Sequence, residues 1–105
     1  MKILVLDLET TVQKIDGKTD NSPFNAANKC VSAHYGWLEN SVITDVYTLV
    51  FHHVEKAVPD SPDHLIETLK QADMLVAHNA KFDILWLTSM RMPIPPIVRC
   101  TMINE

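Results

Sequence analysis

The chain has 105 residues, 47% of them hydrophobic and 21% charged, with a formal net charge of −4. That composition describes one globular domain with room for a sheet and a few helices; disorder would need fewer apolar residues and more net charge. The acidic balance argues against a protein that grips duplex DNA through a basic surface, but not against a nuclease that holds a few nucleotides of single strand and draws positive charge from metal ions.

Ile3-Leu4-Val5-Leu6 is an unbroken apolar run, too short for a helix and β-branched at Ile3 and Val5. It predicts a strand buried on both faces. Asp7 and Glu9 follow at its end, and residues two apart in an extended chain point to the same side, so the two carboxylates project together. Like charges held that close repel unless a cation lies between them, and a divalent metal taking hard oxygen ligands is the natural candidate. The plainer alternative is that Asp7 caps a turn and Glu9 faces water.

Val12 to Lys29 has loop composition, with Asp16-Gly17-Lys18, Asp20-Asn21-Ser22-Pro23 and a single aromatic, Phe24. Cys30 to Leu38 alternates, Val31, Ala33, Tyr35 and Trp37 against Ser32, His34 and Gly36, which predicts a half-buried strand. Glu39-Asn40-Ser41 turns the chain into a second β-rich run, Val42 to Phe51, making an antiparallel hairpin. Ser61 suits a helix N-cap and Pro62 the first helical position, with Leu65, Ile66 and Leu69 on the apolar face; the helix is expected to stop near Ala72-Asp73. Met74 to Ala77 reads as a short buried strand leading through His78 to Asn79, a good N-cap, and a helix carrying Phe82, Ile84, Leu85, Leu87 and Met90. Asp83 lies in that helix's first turn, at the end of the sheet from which Asp7 and Glu9 emerge if the crossover makes the two strands parallel. Met92-Pro93-Ile94-Pro95-Pro96 ends the helix, Ile97 to Cys100 is a last strand, and Thr101 to Glu105 is expected to begin another helix.

Asp7-Leu8-Glu9-Thr10-Thr11 at the end of a leading strand, with His78-Asn79-Ala80-Lys81-Phe82-Asp83 at a later strand-to-helix junction, resembles the first two motifs, Asp-x-Glu and Asn-x-x-x-Asp, of the DEDD exonucleases. These are the ribonuclease H-like 3′-to-5′ proofreading enzymes. Ser22-Pro23-Phe24-Asn25 and Cys100-Thr101-Met102-Ile103 look most like the exonuclease domain of bacteriophage family A DNA polymerases. The resemblance implies an α/β ribonuclease H-like mixed sheet: an N-terminal strand, an antiparallel hairpin, then parallel strands with crossover helices. It covers residues 1–105 as the N-terminal part of an exonuclease domain, because no Tyr-x-x-x-Asp or His-x-x-x-x-Asp third motif follows Asp83.

The resemblance also implies the chemistry, hydrolysis of the terminal phosphodiester of single-stranded DNA with two Mg2+ or Mn2+ ions. Asp7 would bridge both ions, Glu9 would help hold the one that binds the attacking water, and Asp83 would support the other. Asn79 would orient the junction or touch the strand, and Thr10, Thr11 and Phe82 would contact the terminal nucleotide. The expected partners are a single-stranded 3′ end and either a DNA polymerase domain, in cis or in trans, or the missing C-terminal part of the exonuclease domain. Without the third motif, low or no activity is expected from this chain alone. Two other readings stay open: a non-catalytic exonuclease-like module that docks a polymerase or second fragment, and a DEDD nuclease that acts on RNA.

The remaining chemistry-bearing residues have plainer readings. His52 and His53 are adjacent on a strand and would point apart, Cys30 and His34 are too far apart along one face to share a tetrahedral site, and Trp37 and Trp86 are expected in the core. Cys30 and Cys100 lack a Cys-x-x-Cys spacing and are expected to be reduced core residues. No stretch is apolar enough to span a membrane, and the first residues lack signal-peptide character, which predicts a cytoplasmic protein, in the host if phage-encoded.

Overall fold

The architecture, taken from a computed structural model that describes residues 1–52 and 58–101, is α/β. In chain order the elements are β1 (Ile3–Thr10), β2 (Gln13–Ile15), β3 (Lys18–Asp20), β4 (Cys30–Glu39), β5 (Val42–Val50), α1 (Asp63–Gln71), β6 (Met74–Ala77), α2 (Ala80–Ser89) and β7 (Ile97–Cys100). Five strands form one mixed sheet in the order β5-β4-β1-β6-β7. β1 pairs antiparallel with β4 and parallel with β6, and β6 pairs parallel with β7. The N-terminal strand is therefore central, with an antiparallel hairpin on one side and two parallel strands, reached through helices, on the other.

Period-2 alternation sorts the sheet into two faces. Leu4, Leu6 and Leu8 of β1 are buried together with Leu75 of β6, Leu65 and Leu69 of α1, and Trp86 and Leu87 of α2, so both helices cover the same face. The expected two-sided burial of β1 is corrected here. Ile3 and Val5 are only half-buried and Asp7 and Glu9 are exposed, because the opposite face carries no helix among the described residues. An apolar run of four looks the same in sequence whether one face or both are covered.

The β4–β5 hairpin closes through Asn40 and Ser41, both at positive φ (50° and 65°), the backbone that a two-residue turn between twisted strands requires. Beyond the turn β5 bulges past Gly36. A Cβ there would lie 2.8 Å from Ile43 Cγ2 and 3.0 Å from the Thr44 carbonyl oxygen. Gly36→Ala is therefore expected to cost about 1–3 kcal/mol, since the backbone carbonyl cannot swing aside as the Ile43 side chain can. A thermal midpoint equal to wild type would show that the hairpin accommodates the methyl group.

The expected loop between Val12 and Lys29 is corrected in its first half, where β2 and β3 form a separate two-stranded ribbon. Its turn is Asp16-Gly17, at φ 52° and 80°, an Asp-Gly pair that favours such a hairpin. α1 starts one residue later than expected. Pro62 is its N-cap without a side-chain cap bond, and Ser61 Oγ accepts the Asp63 backbone N–H at 3.2 Å. β6, α2 and β7 lie where the sequence places them. The helix expected after Thr101 falls, apart from Thr101 itself, outside the described residues, as does His53. Neither cysteine is in a disulfide, and no helix among the described residues is long and apolar enough to cross a membrane.

Candidate active site

β1 outruns its parallel neighbour. Pairing with β6 covers Ile3, Leu4 and Val5 only, so the C-terminal half of that edge is left open where Asp7 and Glu9 stand. α2 fills the gap. Its N-cap is Asn79, whose side chain accepts the Phe82 backbone N–H, as expected for a strand running directly into a helix. One turn on, the Asp83 carboxylate reaches the open edge of β1 and accepts a hydrogen bond from the Leu8 backbone N–H.

Asp83 is 3% exposed, which is unusual for a carboxylate. Its pKa is raised to about 6 by burial, with the nearby Asp7 charge pushing the same way and the Leu8 hydrogen bond opposing them. The Cys30 thiol, on the other flank, is pushed up to about 11 by burial and then by the Asp83 charge, so it stays protonated and offers no thiolate. Asp7 and Asp83, far apart in sequence, thus lie near enough for the Asp7 charge to act on the buried carboxylate.

Glu9 shares the Asp7 face, but its carboxylate is turned toward β4. Glu9 Oε1 lies 4.0 Å from His34 Nε2, and the Glu9 side chain is 63% exposed. His34 stands directly opposite Asp7 in the antiparallel register. Its ring is fixed at both nitrogens, Nε2 3.1 Å from Ser32 Oγ and Nδ1 3.1 Å from Thr48 Oγ1. As they stand, no three His, Cys, Asp or Glu side chains among the described residues are close enough to hold a metal ion between them. The donor set nevertheless suits a hard divalent cation. All three acidic groups offer oxygen, a cation beside the Asp7–Asp83 pair would relieve both the repulsion and the unmet charge of the buried carboxylate, and the exposed Glu9 can leave His34 by side-chain rotation alone.

The residues expected to touch substrate divide. Thr11 is committed to the fold: its hydroxyl donates to Asn28 Oδ1 at 3.3 Å and accepts the Lys29 backbone N–H at 2.8 Å. Asn79 is spent on its cap. Phe82 is half-buried against Trp86, with ring centroids 6.5 Å apart, and Thr10 is half-buried at the strand end. A groove lined by Val5, Asp7, His34, Gly36, Ile43 and Val46 opens beside Asp7.

Sequence reasoning passes over two polar groups. Spacing separates His34 from Cys30, as expected, but gives no sign that its neighbour is Glu9, a contact fixed by the β1–β4 register. Asn28 is 6% exposed and ties the loop after β3 to Thr11, with no local pattern to announce it. Trp86 is in the core as expected, yet its indole N–H also donates to the Asn21 carbonyl at 3.1 Å, fastening that same loop to the helix that carries Asp83. No protein-family model and no curated protein matches this chain.

Proposed function

We propose that this protein is a metal-dependent 3′-to-5′ exonuclease of the ribonuclease H-like kind, acting on single-stranded DNA through Asp7, Glu9 and Asp83. The observation that carries the reading is Asp83, a carboxylate buried against the open edge of a central strand with the Asp7 charge beside it. Such an arrangement costs folding energy and is found where a cation or a reaction makes use of it. A mixed sheet with the acidic strand at its centre supports the same reading, and so does the order of the motifs along the chain.

Magnesium or manganese bound at this rim would supply the Lewis-acid chemistry that polarises a phosphodiester. The protein's own contributions are positional. Asn79 fixes the start of α2 and so the depth of Asp83; the Leu8 N–H donates to the Asp83 carboxylate and holds it at the edge of β1; Glu9 would close the third side once it turns from His34. Thr10 and Phe82 flank the terminal nucleotide. A polymerase domain, in cis or in trans, is the fitting partner for such an activity, and the cytoplasm its setting.

The test is removal of nucleotides from the 3′ end of a 5′-labelled single strand in the presence of Mn2+. Release is expected to be slow, because no residue after Asp83 matches the fourth carboxylate and water-orienting Tyr or His of the family pattern. Asp7→Asn should lower that release by at least about a hundredfold, since it removes a charge on which the metal site depends. Release that survives Asp7→Asn, or that proceeds equally well in EDTA, overturns the assignment.

A further inference from the structure

The segment between β2 and β4 is neither core nor slack loop. Asp20 accepts the Ser22 backbone N–H at 3.0 Å and the Asn25 side-chain amide at 2.9 Å, bonds that hold its carboxyl below the ordinary range. The buried Asn28 amide donates to the carbonyls of Asp20 at 3.0 Å and Ser22 at 2.9 Å. Ser22 Oγ accepts the Phe24 backbone N–H at 3.0 Å. Trp86 and Thr11 anchor the ends to α2 and to the residue two beyond Glu9, so the whole structure is docked at the rim that carries the three carboxylates.

What this bonded structure displays is Phe24, which is 81% exposed. Lys14, Lys18 and Lys29 are exposed around it in sequence. Residues 13–29 hold those three lysines against Asp16 and Asp20, a local balance of +1 (3 − 2) in a chain whose net charge is −4. A large apolar ring held out in water by polar bonds, with cations along the same segment, offers a flat face for a base and positive charge for phosphates. Backbone-directed lysines and one aromatic platform suit single-stranded nucleic acid, whose bases are unpaired and free to stack.

We propose that residues 13–29 form a single-strand platform, in which Phe24 stacks on a base upstream of the 3′ end and Lys14, Lys18 and Lys29 meet the phosphates. The proposal rests on the nuclease reading for its substrate, but it can be tested apart from catalysis. The full chain is titrated into a fluorescein-labelled oligothymidylate without divalent metal, and anisotropy is read at several salt concentrations. Phe24→Ala should weaken binding by roughly 5- to 150-fold, the range for loss of one base-aromatic stack, and Phe24→Trp should restore it. Lys14→Gln with Lys18→Gln should flatten the salt dependence.

Because Phe24 is exposed, its replacement should leave the thermal midpoint unchanged. Equal affinity of wild type and Phe24→Ala, or no binding by wild type, overturns the platform. Binding that depends on Phe24 in a protein whose Mn2+ titration is the same for wild type and Asp7→Asn upholds the platform and overturns the nuclease reading instead.

Discussion

Replacing Asp83 by asparagine is expected to make the metal-free protein more stable at neutral pH while abolishing the proposed metal binding. The folded state raises the Asp83 pKa from 3.8 to about 6, so between those values the native protein binds more protons than the unfolded chain. Stability from this group is then fully present below pH 4 and is lost as pH rises toward 6. At about 1.4 kcal/mol per pKa unit, the carboxylate costs on the order of 3 kcal/mol at neutral pH. Its position in the first turn of α2 returns about 0.3–1 kcal/mol through the helix dipole, which is too little to reverse the sign. The asparagine side chain would keep an oxygen for the Leu8 N–H but must place an amide group, so a net gain of about 1–2 kcal/mol is expected. Urea unfolding of both proteins at pH 4.5 and pH 7.5 reads this directly. The variant should be the more stable at pH 7.5, with the difference shrinking at pH 4.5. A variant less stable at pH 7.5 would mean that the charged carboxylate supports the fold by itself.

The second large effect is expected at Leu87, which is fully buried where α2 packs on the sheet. Leu87→Ala removes a close-packed side chain and leaves a void, at a cost of about 2–5 kcal/mol. Domains of this size have roughly 5–15 kcal/mol in all, so the change takes a large part of the stability. Because α2 carries Asp83, looser packing there should also weaken the proposed metal binding. Leu85, two residues earlier on the same helix, is 39% exposed and serves as the control. Leu85→Ala should cost less than about 1 kcal/mol. Equal losses in the two variants would show that α2 is not seated on the sheet through Leu87.

Much of this is legible in the sequence because the signals are local. The Asp7–Glu9 pair follows from the two-residue repeat of a strand, and the Asn79 cap from a polar residue between a β-rich run and an apolar helix. The parallel placement of β6, which brings Asp83 toward the end of β1 that carries Asp7, follows from the intervening helix. Features that depend on what lies across space are not legible. Ile3 and Val5 are β-branched and apolar whether or not a second layer covers them. The β2–β3 ribbon is built from Lys, Asp, Gly and Thr, residues that loops use too, and only the Asp16-Gly17 pair marks it. The Glu9–His34 contact depends on the β1–β4 register, between strands that the whole segment from Thr11 to Lys29 separates in the chain. Asn28 is buried only because Thr11 and the carbonyls of Asp20 and Ser22 surround it.

If Asp7, Glu9 and Asp83 share a cation, calorimetric titration with Mn2+ measures it without reference to any substrate. Wild type should show a binding isotherm that vanishes in Asp7→Asn and in Asp83→Asn, and that weakens in Glu9→Gln, whose side chain has to leave His34 to take part. Identical isotherms for wild type and Asp7→Asn, with both proteins folded, would contradict it.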